Sequence, residues 1–201
     1  MTTVKYDSTT GKLTIEPSST EIEETFKFTV TIGEATSEEK TVKVKSKLNP
    51  NVKKPTLVFP TATTALTTGT VISTEDKTYD VTTLLFGADV SGLTAKFYYK
   101  NSSGSNLTTD MLKLYQNDII ELVAADGWKI SKIEATTSGK GTGNNAIGKL
   151  KVTKGETEIS DSDSSTEDEF GTFVIDATSC TLLATAQVRF KALKVTLVKT
   201  A

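Results

Sequence analysis

The sequence predicts an all-β protein. Apolar and polar residues alternate with period two in run after run, no window sustains the 3.6-residue period of an amphipathic helix, and Thr, Ser and Gly fill the intervals. A length of 201 residues exceeds one small sandwich. The reading is therefore an immunoglobulin-like unit, partial or a small sandwich, followed by a larger antiparallel β-sandwich or jelly roll.

The first unit covers residues 1–48. Leu13 and Ile15 alternate with Lys12, Thr14 and Glu16. Phe26, Phe28, Val30 and Ile32 then alternate with Lys27, Thr29 and Thr31 as one unbroken strand, which makes Phe26, Phe28 and Val30 core and turns the lysine and threonines to water. Val42 and Val44 repeat the pattern between Lys43 and Lys45. So short a stretch cannot build a seven-stranded immunoglobulin domain. Its apolar face needs cover from the second module, from a missing half or from another copy, and self-association through this unit is one expectation. Asn49-Pro50-Asn51 and Lys53-Lys54-Pro55 combine proline with polar residues, so residues 49–55 read as a linker.

The second module, residues 56–201, has strand candidates at 71–73, 94–100, 112–115, 119–124, 128–136, 149–153, 172–176 and 188–198. Two of them share a fault. The stretches from Trp128 to Thr136 and from Val188 to Thr196 both place apolar residues first, third, sixth and eighth, where strict alternation would put the fifth inward. An extra residue at Ser131–Lys132 and at Lys191–Ala192 predicts a β-bulge in each. Trp128, Ile130, Phe190, Leu193 and Val195 are core on this reading.

Composition excludes several functions. Lys and Arg total 23 against 25 Asp and Glu, a net charge of −2, and Arg189 is the only arginine, so nucleic acid is not an expected partner. Histidine is absent, which removes Ser-His-Asp and Cys-His nucleophile systems and the commonest zinc ligand. The single Cys180 has no internal disulfide partner and, next to apolar Leu182 and Leu183, reads as a buried inert thiol. The residues after Met1 form neither a basic n-region nor an apolar h-region, and no 18 apolar residues run together, so neither an export signal nor membrane insertion is expected. The expected location is extracellular or on the cell surface for a processed fragment, and a virion for a complete chain.

Three residue sets remain as candidate sites. Asp161, Asp163 and Glu167, beside Asp168 and Glu169, offer the carboxylate oxygens that Ca²⁺ takes, the one cofactor to consider. Their spacing lacks the glycine and alternation of an EF-hand loop, and the same residues read as a solvated acidic connection. Tyr98, Tyr99 and Tyr115, with Tyr79, are aromatic faces on which sugar rings can stack, although Tyr98 and Tyr99 must face opposite sides of a strand. Glu121 and Glu134 supply the carboxyl pair a glycosidase needs, but no further motif accompanies them.

The stretches Leu112 to Asn117, Ala125 to Glu134 and Ala186 to Thr196 resemble the C-terminal β-sandwich module of many surface and secreted proteins of Bacteroidetes, which often follows immunoglobulin-like repeats. The likeness covers residues 55–198, residues 1–47 resemble the end of such a repeat, and residues 139–148 supply the family's Gly- and Ser-rich gap. The family's second Trp is missing, with Phe173 nearby. The resemblance implies a noncatalytic accessory or adhesive module and transfers no catalytic residues. The expected function is a non-enzymatic structural or interaction module, for adhesion or display on a bacterial cell surface or a virion, meeting protein or glycan by strand edges and loops. The alternative is a carbohydrate-binding module of a secreted glycan-utilisation protein.

Overall fold

The computed structural model describes residues 3–7, 12–16, 22–29, 31–32, 34–46, 50–99, 104–137, 149–160 and 171–200. The chain divides into two compact units, Met1–Pro50 and Asn51–Ala201.

The first unit contains β1 (Thr3–Asp7), β2 (Lys12–Glu16), β3 (Ile22–Phe28), β4 (Thr31–Ile32), β5 (Ala35–Thr36) and β6 (Lys40–Ser46). β1 pairs with β2, β3 with β6 and β4 with β5, all antiparallel. The unbroken strand expected over 26–32 is corrected. Pairing runs to Phe28↔Lys40 and resumes at Thr31↔Thr36, so the β5–β6 side spans one residue more than its partner and the ladder slips. Thr25, Lys27, Thr29 and Thr31 are exposed, as are Thr41 and Lys43 on the facing strand, and Lys27 pairs with Glu39 at 2.8 Å. The core assignments of the Phe26 and Phe28 side chains and of Val30 lie outside the described residues.

The second unit opens with β7 (Val52–Lys53), β8 (Thr64–Ala65), a single 3₁₀ turn over Leu66–Thr68, β9 (Thr70–Ser73), β10 (Thr78–Asp80) and the five-residue helix α1 (Thr82–Phe86). It continues through β11 (Leu93–Tyr98), β12 (Asn106–Leu107), β13 (Leu112–Leu114), β14 (Ile119–Ala124) and β15 (Trp128–Thr137). β16 (Leu150–Lys154), β17 (Thr157–Ile159), β18 (Thr172–Ala177), β19 (Ser179–Ala184) and β20 (Val188–Lys199) complete it. These form two seven-stranded antiparallel sheets. Sheet one runs β17-β16-β19-β14-β11-β10-β9, and sheet two runs β18-β15-β20-β13-β12-β8 with β7 also on β20. Phe97, Ile120, Leu122 and Leu182 from sheet one meet Ile130, Ile133, Phe190, Leu193, Val195 and Leu197 from sheet two in one buried cluster, the core of a sandwich.

The linker reading of 49–55 is corrected from Asn51 onward. Asn51 accepts a hydrogen bond from Lys199 N–H, Val52 and Lys53 pair with Val198 and Leu197, and the Pro55 carbonyl accepts from Val195 N–H at 2.9 Å. Leu57 N–H then donates to the Leu193 carbonyl at 2.8 Å. Proline has no N–H to give a ladder, but its carbonyl still accepts, so a short peripheral strand tolerates it.

The two bulges fall in one ladder. Between Ile130↔Leu197 and Lys132↔Thr196 the extra residue is Ser131 on β15; between Thr136↔Ala192 and Thr137↔Phe190 it is Lys191 on β20. β15 and β20 are thus antiparallel neighbours with matching faults. Glu134 and Lys194, each seventh in its motif, pair directly, so the two bulges are related by a local two-fold through that pair. Ile130, Ile133, Phe190, Leu193 and Val195 are buried, and Trp128 is half-buried against the core.

Candidate functional site

The outer face of sheet one collects the unit's polar chemistry. On β11 the inward residues are Leu93, Ala95 and Phe97, which leaves Thr94, Lys96 and Tyr98 outward; on β14 the inward Ile120 and Leu122 leave Glu121 outward. Directly paired residues share a face. The registers Thr70↔Asp80, Asp80↔Lys96, Lys96↔Glu121, Glu121↔Thr181, Thr181↔Thr153 and Thr153↔Glu158 therefore draw one polar row across all seven strands. At its centre Tyr98 Oη donates to Glu121 Oε2 at 2.7 Å, and Lys96 Nζ reaches the same oxygen at 3.4 Å.

Burial, helped by the bond to Glu121, pushes the Tyr98 hydroxyl up to about 12 from its usual 10.0. The folded value is the higher one, so what the neutral phenol contributes is fully present below pH 10 and is lost as pH rises toward 12. In a spectrophotometric titration of the folded chain, Tyr98→Phe should remove a tyrosine that ionises near pH 12. Loss of one that ionises near 10 instead would show this hydroxyl to be neither shielded from water nor bonded to Glu121.

The three candidate tyrosines occupy three separate places. Tyr99 lies on the other side of the strand from Tyr98, its ring 6.1 Å from Tyr79 and 5.9 Å from Phe97 and packed against the core. Tyr115 follows β13 in sheet two, with Lys113 Nζ 4.6 Å from its ring centroid and its edge closing against Gly104. They make no common sugar platform. Asp161, Asp163 and Glu167 lie outside the described residues.

Glu121 and Glu134 stand on different sheets, Glu121 held by Lys96 and Glu134 by two lysines of its own. Glu134 lies 3.1 Å from Lys194 and 3.2 Å from Lys132; burial pushes its carboxyl up, but the two ammoniums outweigh this and hold it below its ordinary value. Its Oε2 is shielded from water yet outside hydrogen-bonding geometry, so the Lys194 contact is an ion pair. Burial, with the Glu121 charge, pushes the Cys180 thiol up to about 12, far from the thiolate a nucleophile needs.

Two features carried no signal in the sequence. Ser105 donates to Asp118 at 2.5 Å, both buried, and accepts from Tyr115 N–H at 2.8 Å, which ties the start of β12 to the turn before β14. The second is an open groove of about 530 Å³ at the β9 end of the polar row, walled by Thr70, Asp80, Thr83 and Thr94 with Leu84 and Val90. Gly69 belongs at its base because a Cβ there would collide with the Asp80 carbonyl oxygen.

A scan against protein-family models finds no match, and a search of curated proteins finds no similar sequence. Among the described residues no helix is long and apolar enough to cross a membrane.

Proposed function

We propose that the chain is a non-enzymatic interaction module of a bacterial cell surface or a virion, and that it meets an extended segment of a partner protein at the β9 edge of its C-terminal sandwich. The observation that carries this is the character of β9. It is the last strand of sheet one, its Thr-Val-Ile-Ser sequence has neither charge nor proline, and Val71 and Ile72 are 54% and 50% exposed. Val71, paired with Tyr79 on the core-facing side, is left uncovered at the edge, and the register slip makes Ile72 the bulged residue beside it, so two consecutive apolar side chains meet water. Sheet edges are ordinarily guarded by charge or brevity. The other three obey: β17 carries Glu158, paired with Lys151; β18 carries Asp176, paired with Lys129 at 2.5 Å; β8 is two residues long. An unguarded edge offers main-chain groups for an added strand and apolar side chains for selectivity. The surface setting rests on the resemblance of the stretches Leu112 to Asn117, Ala125 to Glu134 and Ala186 to Thr196 to the accessory modules of secreted proteins.

The test is site-specific photocross-linking of the full chain in the cells that make it. Probes at Val71 and Ile72 should capture one identified protein, while probes at Asp89 and Val174 should not. Equal yields at all four positions would refute the edge as the binding surface.

A further inference from the structure

The groove beside β9 has a composition that points to one ligand class. Its volume of about 530 Å³ lies in the range of small-ligand sites. Two of its threonines are spent on structure: Thr68 donates to the Ala65 carbonyl at 2.7 Å, and Thr82 accepts from Ala95 N–H at 2.8 Å. The hydroxyls of Thr70, Thr83 and Thr94 make no hydrogen bond among the described residues. Asp80 uses Oδ1 to accept from Thr82 N–H at 2.8 Å, which leaves Oδ2 without a partner there. No lysine or arginine lines the groove, and the nearest along the polar row, Lys96, is engaged by Glu121. Phosphate or carboxylate ligands would find no counter-charge.

We infer that this groove binds a neutral oligosaccharide. A carboxylate oxygen accepts from the paired hydroxyls of a sugar, three threonine hydroxyls both donate and accept, and Leu84 and Val90 give the apolar strip on which the C–H face of a ring rests. Thr94, Lys96 and Tyr98 follow one another outward along β11, and four residues of strand span about 13 Å. A ligand of more than one ring therefore extends from the groove toward the Tyr98 ring. This site is separate from the β9 edge in chemistry and does not rest on the protein-partner reading.

Calorimetry on the full chain with cellohexaose, xylohexaose and mannohexaose, each up to about 5 mM, tests it. At least one should bind saturably. Thr83→Val and Thr94→Val, which keep shape and remove the hydroxyl, should together weaken that binding about tenfold or more with an unchanged melting temperature. Asp80→Asn retains an acceptor for Thr82 N–H and should weaken it similarly. Ile72→Lys should leave sugar affinity unchanged, which separates failure of this site from failure of the edge. No binding by any of the three sugars would overturn the inference. So would full affinity in the double threonine variant, or a loss of affinity in Tyr98→Ala with none in the threonine and Asp80 variants.

Discussion

An Ile133→Asp variant should lose about 5 kcal/mol or more of stability, enough to abolish cooperative folding of a domain whose whole margin is of that order. Ile133 is fully buried near the middle of β15, paired with Phe173 on one side and Val195 on the other. An aspartate there loses the apolar contacts and places a carboxylate among Phe190, Leu193 and their neighbours in the core cluster. Ile133→Val should cost only about 0.5–1.5 kcal/mol, because one methylene is removed and no polar group is introduced. Chemical denaturation of both variants gives the comparison, and a stable, cooperatively folding aspartate variant would place this side chain outside the core.

The second large effect separates two deletions three residues apart. Removing Ser131 takes out the bulged residue and leaves Trp128, Ile130, Ile133 and Ala135 in strict alternation, so every apolar side chain keeps its face. Removing Glu134 instead makes Ile133 and Ala135 adjacent, and one half of the strand must then turn its apolar residues to water or press Lys132 inward. The expected result is a folded Ser131 deletion with a modest loss, against a Glu134 deletion that loses several kcal/mol through core exposure and forfeits the ion pairs to Lys132 and Lys194. Melting curves of the two proteins check this. Equal damage from both would mean that the bulges do not set the phase of the ladder.

These bulges are legible in the sequence because a phase slip in the apolar pattern is written into single residues, Ser131 and Lys191. The same logic turned Tyr98 and Tyr99 to opposite sides. It missed β19, where the Leu182-Leu183 doublet hides the alternation of inward Cys180, Leu182 and Ala184 with outward Thr181 and Leu183. It missed α1, since five residues are too few to display a helical period. It read Asn51 to Pro55 as linker because proline signals a break, whereas a strand at a sheet's periphery needs only the proline's carbonyl. The candidate surfaces were the least legible part. Whether β9 is an edge depends on the order of strands in the sheet, and the groove joins Thr70, Asp80, Thr83 and Thr94 through registers that no local pattern encodes.

The edge reading is tested most directly by comparing charge insertions on two edges. Ile72→Lys and Val174→Lys both replace an exposed apolar side chain, 50% and 60% exposed, on the outermost strand of a sheet, so neither should alter stability by more than about 0.5 kcal/mol. With the protein captured from Val71 and Ile72 as ligand, titrated against each full-length variant, Ile72→Lys should weaken binding about tenfold or more, and Val174→Lys should bind as the unaltered chain does. Undiminished binding by Ile72→Lys, or a loss confined to Val174→Lys, would contradict the assignment of β9 as the partner edge.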